Sequence, residues 1–539
     1  METVGHVEHL RQVLVWPLRL MPRGGEDRTH SQPWELLTAD PASPWREVSA
    51  ARDAGESFQE RYYTEFVSFL PFVQRFLFGV GHVGGTAGEG HFTGQRRILR
   101  RKDIAQVRVA LRAGEAPHTL DVHNACLHFF YDVDIVLLVL EVGASDLPLE
   151  TAQDLIYRFG RAYPAGWDGQ GHALHCMYSA EWLGTDGAVL ASSDSQDKEA
   201  FTRHVCERHS PLISSHWRWL LLPLVPLGAD EEAELQFRLV EYYRMPMMAY
   251  LAVRQPDKLS SGEWASLGMM AGAPATPGQA SAEFEKSYCY DRFWYAGGAA
   301  PNTRYLCSGP ALVVVGDAAS DFFCCRERGV LSQFRHQHFL LFMIAHLQKA
   351  SLLMFSDRLA EALNSLSVTD PDSVRRFKRR IRFAFESFLR FTHRYWFTEI
   401  SDQAQIRALF RMTTTHLDLT RLHAEVKVRM ADMNDYLEAD SIRRQANTVV
   451  RLTVVTIFGM IGTVTTGFLG MNLIAEAEAP MSRRLIVFGA TFIITTVLTT
   501  YTMMKSKRLS DMLDALSDER LSNWAKLKAL FAVWGKGPA

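Results

Sequence analysis

Residues 452–471 (LTVVTIFGMIGTVTTGFLGM) and 485–504 (LIVFGATFIITTVLTTYTMM) are two runs of 20 residues without a single charged side chain. At 1.5 Å rise per residue each is long enough to cross a hydrocarbon core of about 30 Å as a helix. About a dozen residues join them, Asn472 to Arg484, and Pro480 interrupts helical continuation there. Two spans with so short a link form a hairpin, so both flanks lie on one side of a membrane. Arg443, Arg444 and Arg451 precede the first run, Lys505, Lys507 and Arg508 follow the second, and the link carries Arg483 and Arg484. The excess of basic residues on the flanks predicts that both termini are cytoplasmic.

The rest of the chain reads as water-soluble. Of 539 residues 47% are hydrophobic and 22% charged, near the globular average, and the net charge is −2. No long basic stripe marks a nucleic-acid surface, so no nucleic-acid partner is expected. The opening METVGHVEHL lacks the basic and apolar regions of a secretory signal, and Glu2 and Glu8 argue against a transit peptide. Seven cysteines without a paired spacing predict reduced thiols. Cys324 and Cys325, with His336 and His338 beyond them, do not form a convincing zinc set, because adjacent cysteines rarely both ligate one tetrahedral ion.

Up to about residue 325 the pattern is mixed α/β. Strands are expected at 11–20, 104–112, 127–142, 217–226 and 309–316, the third as one long strand buried on both faces, with a helix near 149–163. Residues 62–79 fit a helix or a buried strand. The Pro-, Gly- and Ser-rich stretches 22–60 and 255–283 read as loops. Helices are expected at 331–366 and 371–397, followed by a Pro-free run from about 402 to 471. Within it Leu419, Leu422, Val426, Met430, Met433 and Leu437 repeat at 3, 4, 4, 3 and 4 residues, the rhythm of a helix packing lengthwise on another.

The first span is rich in Thr and Gly. Small residues let helices approach closely in lipid. Hydroxyls and carbonyls can also hold an ion's water shell. Leu452, Thr456, Met460, Thr463, Gly467 and Gly470 share one helical face, and composition leaves both roles open. Two spans cannot enclose a pore, so a channel requires a closed ring of copies. Gly79-Val80-Gly81-His82-Val83-Gly84 fits a dinucleotide fingerprint, yet further glycines follow where a helix must open, so a loop is expected. No phosphate-binding loop, zinc-protease motif or nucleophile elbow occurs, and no enzymatic activity is expected.

The tripeptide Gly470-Met471-Asn472 stands at the outer end of the first of two C-terminal spans. With a large N-terminal domain, a long stalk helix running into the first span, a short acidic loop and a basic tail, the sequence resembles the CorA family of magnesium and cobalt transporters, as an enlarged member. The resemblance covers roughly 330–508 and extends to the α/β part only in general pattern. It implies a cytosolic α/β domain (1–330), a helical region with the stalk (331–451), a pore-lining span (452–471), an external loop (472–484), a second span (485–504) and a cytosolic tail (505–539). It implies a homopentamer in a bacterial cytoplasmic (inner) membrane, passing Mg2+, or Co2+ or Ni2+, with no cofactor beyond the transported ion. Gly470, Met471 and Asn472 would set selectivity. Asn447 resembles the polar residue of the inner pore, one residue closer to Leu452 than expected. Glu476 and Glu478 would concentrate cations at the mouth, or serve only to solubilise the loop. Asp418, Glu425, Asp432 and Asp435 are candidates for cytosolic metal sensing, or simply the solvated face of the stalk. A zinc transporter of the same superfamily, and a membrane-anchored sensor or scaffold, are the alternative readings. The segment 373–384 (SVRRFKRRIRFA) departs from the family by being basic. The long tail, with Leu509, Met512, Leu513, Leu516, Trp524, Leu527, Phe531 and Trp534 at helical spacing, is a second departure.

Overall fold

The computed structural model describes residues 5–21, 32–48, 63–79, 96–229, 233–241, 244–273, 282–294, 298–367 and 370–470, together with 480–483, 485–487, 489–490, 493–495, 497 and 501. The chain forms two compact units, Met1–Met430 and Ala431–Ala539.

The first unit is built on one large mixed sheet. Its strands are β1 (His6–Met21), β2 (Trp45–Glu47), β3 (Arg96–Arg101), β4 (Ile104–Ala110), β5 (His118–Phe130), β6 (Ile135–Pro148), β7 (Ser179–Gly184), β8 (Val189–Ser192), β9 (Val225–Pro226), β10 (Gln236–Leu239), β11 (Met247–Val253), β12 (Cys289–Tyr290), β13 (Arg304–Cys307) and β14 (Ala311–Asp317). The main path runs β12-β13-β14-β11-β1-β6-β5-β4-β7-β8. Most pairs are antiparallel; β11–β14 and β9–β10 are parallel. The path forks at two long strands. The start of β5 pairs with β4 and its end with β3. Residues 7–14 of β1 pair with β11, whereas 18–21 pair with β10. Pro17 sits in the gap between those two partners. Val15 donates its N–H to Pro246 O on that side (2.8 Å), and Pro17, two residues on, turns the same way. Its missing donor is therefore not required.

Alternation sorts the central strands onto two covered faces. Leu10, Leu14, Trp16 and Leu18 of β1 and Val136, Leu138, Leu140 and Val142 of β6 join one core cluster. Helices α1 (Leu149–Arg158), α2 (Ser215–Leu221) and α3 (Ser261–Met269) contribute to it through Leu155, Trp217, Leu220, Trp264 and Leu267. The opposite face carries Val13, Val15, Ile135, Leu137 and Val139, all buried. Helix α4 (Val330–Asn364), which includes one π turn at Phe334–His338, packs on β1 and β6 there. Helix α5 (Pro371–Arg394) returns antiparallel along α4, with Phe355 against Phe388 and Phe391. Helix α6 (Ala404–His416) and helix α7 (Leu419–Gly470) follow.

Several expectations are corrected. Residues 127–142 are not one strand but the β5–β6 hairpin, turning at Tyr131–Asp134 with Asp132 at φ +62°. Asp tolerates that left-handed conformation better than most residues, and no Gly or Pro announces the turn. The first half of the strand expected at 217–226 is α2, and only its last two residues are a strand, β9. A short apolar run does not distinguish a buried helix from a strand. Trp217 settles the matter here, its indole donating to Arg161 O at 2.8 Å inside the core. The stretch 255–283 contains α3, opened by a capping box in which Ser260 and Glu263 satisfy each other's backbone N–H groups. The run from 402 is broken at Asp418, φ +53°, into α6 and α7. Residues 63–67 and 71–78 are helical.

One helix among the described residues is long and apolar enough to cross a membrane, Val330–Asn364, and 78% of its apolar window is buried inside the protein. It is the core helix of the first unit. Thr448–Met460 is a shorter apolar stretch of α7.

Candidate functional site

The lower part of α7 follows the heptad expectation. Leu419, Val426 and Met430 are buried and Leu422, Met433 and Leu437 half-buried, whereas Val428 and Tyr436 on the other side are exposed. His423 stacks on Trp396, ring centroids 4.1 Å apart, and on Phe388 at 5.7 Å. Arg429 donates to Ser356 Oγ at 3.1 Å. Successive residues of α7 thus meet α5 and the later turns of α4.

Within the second unit, two faces of α7 differ. Val454 and Gly462 are buried and Phe458 and Thr466 half-buried, at a spacing of 4, 4 and 4. Gly462 approaches the segment after Pro480 so closely that a Cβ on it would stand 2.6 Å from Thr495 Cγ2. The face expected to line a pore is the uncovered one. Leu452 is 66% exposed and Met460 63%, and Thr456, Thr463 and Gly467 are exposed with them. Leu485, Ile486, Ile493, Ile494 and Val497 add exposed apolar surface from the second segment. So many large apolar side chains exposed on two neighbouring segments point to an interface with lipid or protein.

Four threonine hydroxyls of α7 share one arrangement. Thr453 donates to Val449 O, Thr456 to Leu452 O, Thr463 to Gly459 O and Thr466 to Gly462 O, at 2.8–2.9 Å. Each hydroxyl hydrogen is spent on the carbonyl one turn back, so each oxygen keeps lone pairs directed away from the helix. Thr456 and Thr463 present these acceptors on the uncovered face.

Met471, Asn472, Glu476 and Glu478 lie outside the described residues, as does the side chain of Asn447, and of Gly470 only its place at the end of α7 is described. The tail residues from Leu509 to Trp534 and the glycines following Gly79 in the fingerprint also lie outside them. Asp418, just before α7, pairs with Arg421, and Glu425 pairs with Arg429 one turn on along the same helix. Asp432 and Asp435 are exposed. Among the described residues no group of three or more His, Cys, Asp or Glu side chains is arranged to hold a metal ion. All seven cysteines are free thiols. Cys324 lies near Tyr250, His336 pairs with Glu65 at 2.7 Å, and His338 is buried edge-on to Tyr305.

Ion pairs that the sequence pattern does not reveal fasten α4 to the sheet. Arg19 of β1 bonds Asp357, and Glu361 at 2.8 Å; Arg238 of β10 bonds Glu361 at 2.6 Å. Burial raises the Glu361 carboxyl, but the hydrogen bonds and charges of Arg19 and Arg238 outweigh it and leave the group below its ordinary value. Arg335 holds Glu141 of β6 with two hydrogen bonds, 2.6 and 3.0 Å. Partners so far apart in sequence leave no spacing signal. Burial pushes His216, His338 and His346 down to about 3, so all three are neutral near pH 7.

Comparison with family models, with curated proteins and with solved structures finds no match to this chain.

Proposed function

We propose that this chain carries divalent metal cations across a membrane, Mg2+ foremost, through a pore made by a ring of five copies. The observation that carries the reading is the uncovered face of α7, Leu452-Thr456-Met460-Thr463-Gly467, on the helix that ends at Gly470 of Gly470-Met471-Asn472. The chain packs another face of the same helix against its own second segment, leaving this one for other copies and for water. The lone pairs of Thr456 and Thr463 suit the waters of a hydrated cation, whose hydrogens point outward. Mg2+ sheds its waters reluctantly and is served by acceptors that leave its shell in place. Leu452 and Met460 would close the path as apolar constrictions. Asn472 would meet the ion at the outer mouth with one amide oxygen per copy.

Flux into liposomes tests the proposal. Purified protein is expected to admit Mg2+ down its electrochemical gradient, with Asn472→Ala abolishing the flux or altering its selectivity. Absence of flux for Mg2+, Co2+, Ni2+ and Zn2+ from an intact oligomer would replace the transporter with an anchored scaffold. Electron microscopy of the same particles is expected to reveal a five-fold ring; a monomer or dimer excludes the pore.

A further inference from the structure

Helix α5 carries seven arginines and one lysine against two acids, Asp372 and Glu386. Its apolar side is spent on the core, through Phe377, Ile381, Ala384, Phe388 and Phe391. The outer side holds Arg375, Arg376, Arg379 and Arg382, all exposed, and the stripe continues through half-buried Phe385 to Leu389, which is 41% exposed. Local carboxylates answer part of this charge at the two ends. Asp372 and Asp370 pair with Arg375 and Arg376 at 3.3 and 3.5 Å, and Asp132 pairs with Arg394. Arg375, Arg379 and Arg382 repeat at intervals of four and three, a spacing at which like charges repel within a helix. A row of this kind lowers its energy by meeting a surface of the opposite sign.

The first unit shows where that row is presented. Within this unit the first turns of α7 run parallel to α4: His416, just before them, lies against Gly309, which accepts from His346, and Arg429 bonds Ser356. The chain therefore leaves this unit toward the C-terminal end of α4. The basic first turns of α5 occupy that same end, where Arg380 bonds Ser365 at 2.9 Å.

We propose that the basic stripe of α5, with Leu389 at its edge, docks on the anionic phospholipid headgroups of the membrane that holds the C-terminal segments. The proposal rests on the membrane reading above. Arginine stems lie along apolar surface while their heads bind phosphate, and basic side chains beside an anionic leaflet attract it additively.

The test is hydrogen exchange of residues 371–394 in the full chain, reconstituted in nanodiscs of phosphatidylcholine with or without phosphatidylglycerol. Exchange should slow on the order of tenfold when phosphatidylglycerol is present at about 0.05 M salt, and recover at about 0.5 M as screening shortens the field. The triple variant Arg375→Gln, Arg379→Gln and Arg382→Gln changes only exposed residues and should exchange equally in both lipids. Equal exchange of the unaltered protein in both lipids overturns the proposal. So does protection by added duplex DNA in phosphatidylcholine discs that matches the lipid effect, which would make the stripe a general polyanion site. A chain that does not enter the bilayer defeats the transport reading instead. Exchange of the soluble protein mixed with phosphatidylglycerol vesicles then decides the lipid contact by the same criterion.

Discussion

Gly462 and Thr495 stand so close that a methyl group on the first would meet Cγ2 of the second at 2.6 Å. The two C-terminal segments are thus in contact, and any side chain at position 462 would oblige Thr495 to shift. Gly462→Ala should force them apart at a cost of about 1–3 kcal/mol. Thr495→Ala removes the obstructing methyl and should restore most of the loss. Thermal unfolding of the detergent-solubilised protein checks the cycle; a Gly462→Ala chain as stable as the parent would contradict the contact.

Arg19 is 7% exposed and holds Asp357 and Glu361, which are 43% and 38% exposed. Its substitution by Ala leaves two carboxylates facing a buried strand and should cost about 2–3 kcal/mol, below the range for a fully buried pair because water still reaches the acids. Glu361 is lowered in the folded protein. Its share of stability is present above the unfolded carboxylate value and is lost as pH falls through the folded one. Arg19→Ala should therefore flatten the acid limb of an unfolding-midpoint profile below pH about 4.

The α/β character of the first unit, the strand around 11–20 and the helices of the second half were legible because burial of one face imposes a period on the sequence. What escaped was set by residues without a local signature. Asp132 and Asp418 turn the chain at positive φ with no glycine to mark the place. Ser260 and Glu263 did mark the start of α3, amid Pro- and Gly-rich surroundings that suggested a loop. The face of α7 built on Leu452, Thr456 and Met460 was readable as a stripe. Which face the chain would cover for itself was not, because that depends on Gly462 finding Thr495. The pairing of Arg19 with Glu361 joins the first strand to a helix more than three hundred residues later and has no trace in spacing.

Four buried histidines, His128, His216, His338 and His346, make the fold sensitive to mild acid. His216, His338 and His346 titrate at about 3 when folded and at about 6.5 when unfolded. Between those values the unfolded chain binds protons that the folded chain does not, so stability falls as pH drops below about 6.5. Each histidine contributes about 1.4 kcal/mol per pH unit over the steep part of that window. His216 lies among Trp182 and Trp217, so His216→Phe keeps an aromatic ring and removes one titration. Denaturant midpoints measured from pH 7 to 5 should fall less steeply in this variant than in the parent.

Thr463 separates a role in ion passage from a role in packing. Its hydroxyl hydrogen is committed to Gly459 O at 2.9 Å, and its side chain is exposed on the uncovered face of α7. Replacement by Val keeps the shape and removes the acceptor; replacement by Ser keeps the acceptor and removes a methyl group. If the face carries hydrated cations, Thr463→Val should lower Mg2+ flux on the order of tenfold, the scale of about one lost hydrogen bond to a charged species. Thr463→Ser should retain most of it. If the face is only a contact between helices, the order reverses, because Ser packs less well than Val where no water enters. Flux into liposomes, normalised to inserted protein, distinguishes the two, and thermal stability of the same samples identifies a variant that has merely lost its fold.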